Sequence, residues 1–519
     1  MKIVTAEQMR RIEQDAAQID LPSEVLMENA GLAVAKEMRM WLGGVEQTNI
    51  LILVGPGNNG GDGLVAARYL HDWGAKVQVY CPRPRSEADP NYQMVLHRGI
   101  GSASADQETV LDGMLATSDV IVDSLFGTGR SRPLEGVFKE TLEKVRDSLS
   151  IRPKAKLIAI DLPSGLNSDT GEVDSSCVKS NLTITLANPK MGLFRFPGAA
   201  MIGNLVVADI GIPSSLSDDI LVELITAEMV ARELPTRPLD ANKGTFGRVL
   251  VVAGSLHYIG AAYLACQGAM RVGAGLVTLA TAYSLQPILA SKLVETTYAP
   301  LSEAENGVIG SQAAKEVHEL LPDYDVLLVG CGLGQHPSTQ RFIEELMSSI
   351  PNTMPVIIDA DALNILAKNP RWWKNLSAPA ILTPHPGEFS RLKGISVSEV
   401  QRDRFNNAQQ ASFEWQKTVI LKGAHTIVAD SNGRARVSGA TNPCLASAGT
   451  GDVLAGAVAG MCAQGLSPFT AASCATYLHA EAGELARQSL GESGMIASDL
   501  LPVLPKAIKG VRENYVTCN

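Results

Sequence analysis

At 519 residues, 45% hydrophobic and 19% charged, the chain is long enough for two or three well-buried cores, and two domains are expected. A formal charge of -10 excludes the electrostatic footprint of a nucleic-acid or anionic-membrane binder. Eight scattered cysteines without a C-x-x-C pair argue against a disulfide framework or zinc site, and neither a signal peptide nor an 18-residue apolar span is expected, so a reducing cytoplasm fits best.

Thr5 and Gln8 have capping-box spacing and predict a helix ahead of the first strand. The runs "ILILV", "KVQVY", "DVIVD", "KLIAID" and "LTITL" then alternate with mixed stretches, a βαβ rhythm that predicts a mainly parallel sheet. Prolines cluster and periodicity lapses over Arg232–Gly247, the expected linker, which divides the chain into 1–232 and 233–519. The rhythm restarts with "RVLVVAGS", "GLVTLAT", "DVLLVG", "PVIIDA", "PAILTP" and "TVILKG", so the second part is another α/β domain. No aligned repeat period relates the two.

The first strand runs into "GPGNNGGDG", where Gly55, Gly57 and Gly60 have the spacing of a dinucleotide fingerprint. The next strand, "KVQVYCPRPR", ends without the acidic residue that such a fingerprint uses on a ribose hydroxyl, and Asn58, Asn59 and Asp62 add polar side chains that it does not require. A phosphate- or nucleotide-facing loop of another type is expected. Ligands of open parallel sheets bind beyond the carboxyl ends of the strands, and two further polar loops start there, "DSLFGTGRSRP" at Asp123 and "DLPSGLNSDTG" at Asp161. Each alone is equally a glycine turn with a capping Asp or Ser; three together point to one site.

In the second part, "ASAGTGDVLAGAVAG" sets Gly449, Thr450 and Gly451 ahead of Asp452 and a small-residue helix. Free amides at such a helix start stabilise a transferring phosphoryl group, and an Asp in the first turn accepts a proton; the competing reading is a plain N-cap by Thr450 or Asp452. Lys422 and Thr426 in "LKGAHT", Asp359 and Asp361 in "DADALN", and His385, Glu388 and Arg391 in "TPHPGEFSR" accompany it, whereas the P-loop pattern is absent.

These segments, with "MENAG", "KGTFGRVLVVAGS" and "GCGLG", follow the order found in bifunctional NAD(P)H-hydrate repair enzymes, epimerase fused to dehydratase, which the chain resembles over nearly its whole length. The resemblance implies an N-terminal Rossmann-like α/β/α sandwich and a C-terminal ribokinase-like α/β/α domain. It implies that hydrated NADH or NADPH is bound in the first domain by Asn58, Asn59, Gly60, Gly61, Asp62, Gly127, Thr128, Gly129 and Arg130, with potassium near Asn59, Asp123 and Ser164, and with Asp161 catalytic. In the second domain it implies substrate contacts at Gly334, His385, Pro386, Gly387, Glu388 and Arg391, and Asp452 as the catalytic base. ADP, with magnesium left open, would be held by Lys422, Gly423, Ala424, His425, Thr426, Ala448, Gly449, Thr450 and Gly451. The expected partners are these small molecules and further copies in a homo-oligomer. The alternatives are a ribokinase-like small-molecule kinase with a regulatory nucleotide-binding domain, and a nucleotide-sensing scaffold without turnover.

Overall fold

The computed structural model describes residues 1–86, 88–106, 109–129 and 133–515. They form two compact units, Met1–Ile220 and Leu221–Asn519. In the first, the expected capping box is present: Thr5 Oγ1 accepts the Gln8 amide at 3.2 Å while the Gln8 side chain accepts the Thr5 amide at 2.8 Å, opening the helix Ala6–Ala17.

The sheet that follows has seven strands, β1 (Asn49–Val54), β2 (Lys76–Cys81), β3 (Gly101–Ser104), β4 (Val120–Ser124), β5 (Lys156–Ile160), β6 (Leu182–Leu186) and β7 (Asn204–Ala208). Their order, β3-β2-β1-β4-β5-β6-β7, is parallel throughout. The winding reverses between β1 and β4, which opens a crevice at their carboxyl ends. The central strands carry near-continuous apolar runs because helices cover both faces of the sheet.

The second unit begins with β8 (Val222–Ile225) and contains β9 (Arg248–Val252), β10 (Leu276–Ala282), β11 (Thr297–Leu301), the short pair β12 (Glu303–Glu305) and β13 (Val308–Ile309), then β14 (Val326–Val329), β15 (Val356–Ile358), β16 (Ala380–Leu382), β17 (Thr418–Leu421), β18 (Ile427–Ala429) and β19 (Ala435–Ser438). Its main sheet runs β11-β10-β9-β14-β15-β16-β17-β18-β19-β8, parallel from β11 to β17 and antiparallel on both sides of β18. None of the seven described cysteines is bonded to another, and no described helix is long and apolar enough to cross a membrane.

The change of unit falls at Ile220, twelve residues ahead of the expected boundary at 232. The reason is pairing: β8 lies beside β19, and the helix Ala227–Glu233 supplies Glu233, which joins Glu223 of β8 on the Arg436 guanidinium. Removing 1–232 therefore takes Glu223 from a largely buried arginine, together with β8 and the helical turns that hold Glu233 in place, a loss of about 3–5 kcal/mol. A chain starting at 233 should melt well below one starting at 221 in calorimetry. Equal midpoints would put the boundary at 232.

Candidate active sites

The helix Asn58–Asp72 starts directly beyond β1, and its N-cap, Gly57, makes no side-chain capping bond, so its first amides stay open to a ligand. The loop has to be glycine: a Cβ at Gly55 would stand 1.7 Å from Leu125 O, and one at Gly60 would stand 2.0 Å from Gly55 O. The helix start forms one wall of a cavity of about 740 Å³, which Asn58, Asn59, Asp62, Gly127, Thr128, Gly129 and Asp161 line together. Gly60 and Gly61 pack beneath it, Gly61 against Met27. Arg130 lies outside the described residues.

Behind the cavity the β4 and β5 loops are tied together. Asp123 accepts the Ser164 hydroxyl at 2.7 Å, the Ser164 amide at 2.8 Å and the Leu125 amide at 3.2 Å. Burial pushes its carboxyl up, with the Ser164 bonds opposing. Both polar atoms of the Asn59 side chain are buried without a hydrogen-bond partner among the described residues. Asp161 holds a left-handed backbone, φ 65°, and its Oδ1 accepts from Lys190 Nζ and from Thr185 Oγ1 at 3.2 Å. Lys190 is fully buried and lines the same cavity.

In the second unit, the loops beyond β14, β15, β16 and β17 bring Cys331, Asp359, His385 and Lys422 to one end of the sheet. Asp359 Oδ1 accepts from Lys422 Nζ at 2.9 Å and from Thr383 Oγ1 at 2.5 Å, while its Oδ2 faces the Cys331 thiol at 3.6 Å. Glu388 Oε2 stands 4.0 Å from Lys422 Nζ. Burial opposes the lysine's charge, but Asp359 and Glu388 outweigh it and push the ammonium up. Asp452, in the first turn of the helix Thr450–Ala463, comes within 4.8 Å of Cys331 and Asp359 through their ligating atoms. Burial, reinforced by Asp359, pushes its carboxyl up to about 7.

That helix is not capped by Thr450 or Asp452. Its N-cap is Gly449 at φ 89° with no side-chain bond, and Thr450 Oγ1 points back to Leu445 O at 2.8 Å and Ser447 O at 2.9 Å. The Gly449 and Gly451 amides are therefore left for a ligand, while the Thr450 amide donates to Ser447 O at 3.4 Å, and Gly451 faces Lys422, whose Nζ would stand 3.2 Å from a Cβ there.

The family model described as NAD(P)H-hydrate dehydratase matches residues 249–506, and that of the YjeF-related protein N-terminus matches residues 23–192. The bifunctional NAD(P)H-hydrate repair enzyme of Moorella thermoacetica is 39% identical, aligned over 100% of this chain and 98% of its own. That of Thermofilum pendens is 37% identical over 99% of this chain and 98% of its own. The chain belongs to the family of bifunctional NAD(P)H-hydrate repair enzymes. Among solved structures, the ADP/ATP-dependent NAD(P)H-hydrate dehydratase of Bacillus subtilis, co-crystallised with ATP and Mg2+, is 34% identical and covers 56% of this chain and 99% of its own, with a TM-score of 0.49.

Within this family frame, several expected site residues have structural duties as well. His385 Nδ1 accepts the Gly387 and Glu388 amides at 3.0 and 3.4 Å, so the ring caps the helix Pro386–Lys393, and burial followed by the nearby Lys422 holds its basicity down. Arg391 donates to Asn364, and the Gly334 amide donates to Asp361 at 2.8 Å. His425 is buried with Nδ1 on Ser438 O at 3.0 Å, and Thr426 Oγ1 turns back to Gly423 O at 2.8 Å. What the stretch Lys422–Thr426 offers a nucleotide is thus chiefly backbone and the Lys422 charge. Lys190, Cys331 and Asp359 belong to the two clefts although the motifs do not assign them a role.

The raised Asp452 has a stability signature. Its folded value, about 7, exceeds the ordinary 3.8, so between pH 4 and 7 the folded chain holds a proton that the unfolded chain has lost. Stability contributed by that proton is present below about pH 4 and falls as pH rises through 7. Asp452→Asn should melt with the parent near pH 4 and above it at pH 8; a gap independent of pH would show that Asp452 does not carry this buried proton.

Proposed function

We propose that the first unit interconverts the R and S forms of hydrated NADH and NADPH, and that the second dehydrates the S form with ADP, releasing AMP and phosphate. The observation that carries this reading is that each cleft sets an aspartate and a lysine beside a helix start free of side-chain caps: the buried Asp161 and Lys190 beside Asn58, and the partly buried Asp452 and Lys422 beside Thr450.

In the hydrate a hydroxyl sits on the ring carbon next to nitrogen. The nitrogen lone pair expels it as an iminium, and water can return to either face. A carboxylate in the cavity, Asp161, handles the proton. The pocket also suits potassium: Asn59 presents a buried carboxamide without a hydrogen-bond partner among the described residues, and Asp123 and Ser164, joined to each other, stand in the loops behind the cavity. The ion would supply fixed positive charge for the substrate's phosphates.

Hydroxide leaves poorly, so dehydration goes through phosphorylation. Asp452 removes the hydroxyl proton as the oxygen attacks the terminal phosphorus of ADP, and the amides in the stretch Gly449–Gly451, those of Gly449 and Gly451 foremost, hold the phosphoryl group during transfer. The C–O bond then breaks, phosphate departs, and the iminium loses the proton on the neighbouring ring carbon to give the dihydronicotinamide. Lys422 stays on Asp359 and adds positive charge near the transferring group.

Incubated with a racemic hydrate and ADP, the parent should restore the dihydronicotinamide absorbance completely, with one AMP per recovered nucleotide. Asp161→Asn should stop at half recovery. A stable phosphorylated product in place of phosphate would instead identify a small-molecule kinase.

Asp452→Asn should cut dehydration by about 10²- to 10⁴-fold while ADP affinity, read by calorimetry, holds or tightens slightly because a negative charge near the phosphates is gone. Near-parental turnover would remove Asp452 from the mechanism.

A further inference from the structure

We propose that Asp62 and Asp161 work as a pair in epimerisation, Asp62 giving a proton to the departing hydroxyl while Asp161 takes one from the water that adds to the opposite face, with Lys190 setting which of the two starts ionised. The proposal rests on the epimerase reading of the first unit and assigns the catalytic acid within it.

The two carboxyl groups reach the same cavity from different sides. Asp62 follows β1 and Asp161 follows β5, and the loop after β4, with Gly127, runs between them in strand order. Gly127 leaves the gap open: a Cβ there would stand 2.9 Å from Asp161 Oδ2 and 3.4 Å from Asn59 Oδ1. The two oxygens of Asp161 are unequal. Oδ1 is anchored by Lys190, Thr185 and the Leu186 amide, whereas Oδ2 faces the opening beside Gly127.

Lys190 itself has no donor to spare. Besides Asp161 its ammonium binds Leu186 O at 2.9 Å and Thr185 Oγ1 at 3.3 Å, so it is a positioning residue and a counter-charge.

Asp62 is the opposite case. It is 7% exposed, and its carboxyl makes no hydrogen bond or ion pair within the described chain. A buried carboxyl without a cation keeps its proton. Burial pushes Asp62 well up, Asp161 and Glu13 add to the effect, and Lys190 opposes it. The charged groups on the walls around it are Glu13 and Arg10 of the helix Ala6–Ala17, Asp161 beyond β5 and Lys190 beyond β6. One carboxyl anchored on a lysine and one without a cation in a single cleft is the pattern that divides base from acid.

The step balances. Asp62 passes its proton to the ring hydroxyl, the C–O bond breaks, water leaves, and the nitrogen lone pair becomes the π bond of the iminium. A second water forms a C–O bond on the other face, the π pair returns to nitrogen, and the excess proton goes to Asp161 Oδ2. Asp161 is then neutral and Asp62 ionised, the state required for the reverse reaction.

The test follows conversion of the R-hydrate by the full-length chain, without ADP, between pH 5 and 9. The parent should show a bell-shaped profile. Asp62→Asn should lose about 10²- to 10⁴-fold in rate, keep hydrate binding by calorimetry within a few-fold, and leave ADP-driven dehydration of the S-hydrate unchanged. Asp62→Glu, which retains the proton, should recover part of the loss. Lys190→Met should move the acidic limb to higher pH, because Asp161 loses its counter-charge; a purely structural role would scale the profile without moving it. Asp62→Asn epimerising at near-parental rate with the bell intact overturns the pair. A parent that does not interconvert the epimers at all overturns the underlying epimerase reading instead.

Discussion

Among the described residues each cleft sets several carboxyl groups around one lysine, and the division of chemical labour depends on that imbalance. Lys190 faces Asp161, with Asp62 and Glu13 on the same walls, and Lys422 faces Asp359, with Glu388 and Asp452 nearby. Taking a carboxylate out of water without a counter-charge costs more than protonating it. The lysine therefore sorts the acids. The one it touches is the anchored carboxylate; those left over are pushed up, as Asp62, Glu13, Glu388 and Asp452 all are, with burial the largest cause for each.

Anion binding depends on a different economy, that of helix starts. The helices Ala6–Ala17 and Pro386–Lys393 are closed by Thr5 and by the His385 ring, which satisfy the first amides with side chains. Asn58–Asp72 and Thr450–Ala463 open on glycine and have no such cap. Free amides and the positive end of the helix dipole then remain for phosphate oxygens. The His385 ring, holding two amides, is also a scaffold for Glu388, whose Oε2 accepts the His385 amide.

The sequence made the central strands and the glycine loops legible because both are constrained by sterics that leave a mark on residue type. β1, β4, β5, β9 and β14 through β17 are apolar on both faces, and the close approaches at Gly55 and Gly60 admit no side chain. Edge strands carry less of that mark. β3 reads "GSAS", and β7, β8 and β11 are only partly buried, so none stands out as an apolar run. The domain boundary shifted for the same reason, since β8 is recognisable only through its partner β19. Asp123, Asp161 and Asp452 were visible as polar residues after strands or in a helix's first turn. Lys190 was not: it stands four residues beyond β6 in "NPKMG", and it matters only because β6 lies next to β5. Likewise Asp359 and Lys422 are 63 positions apart and meet only through the order β15-β16-β17.

Asp161 and Asp452, the two proposed catalytic bases, sit on different backbones, and the difference suits the two reactions. Asp161 itself occupies a left-handed conformation, a place where an L-residue with a Cβ pays roughly 1–2 kcal/mol. Its amide bonds Ile184 O at 2.8 Å and its Oδ1 is anchored on β6, so the strained position is over-determined and Oδ2 is aimed. In the second unit Gly449 takes the left-handed position at no such cost, and Asp452 follows three residues later on regular helix. There the helix dipole favours the carboxylate, yet burial wins and leaves the group near neutrality. A base poised near 7 suits a phosphoryl transfer that removes one proton and needs no partner. Epimerisation must run equally well in both directions, which a single group of fixed protonation cannot do on two faces of a ring. The rigidly held Asp161 thus calls for a second carboxyl in the opposite state, and of the other acids lining that cavity Asp62 is buried whereas Glu13 is exposed.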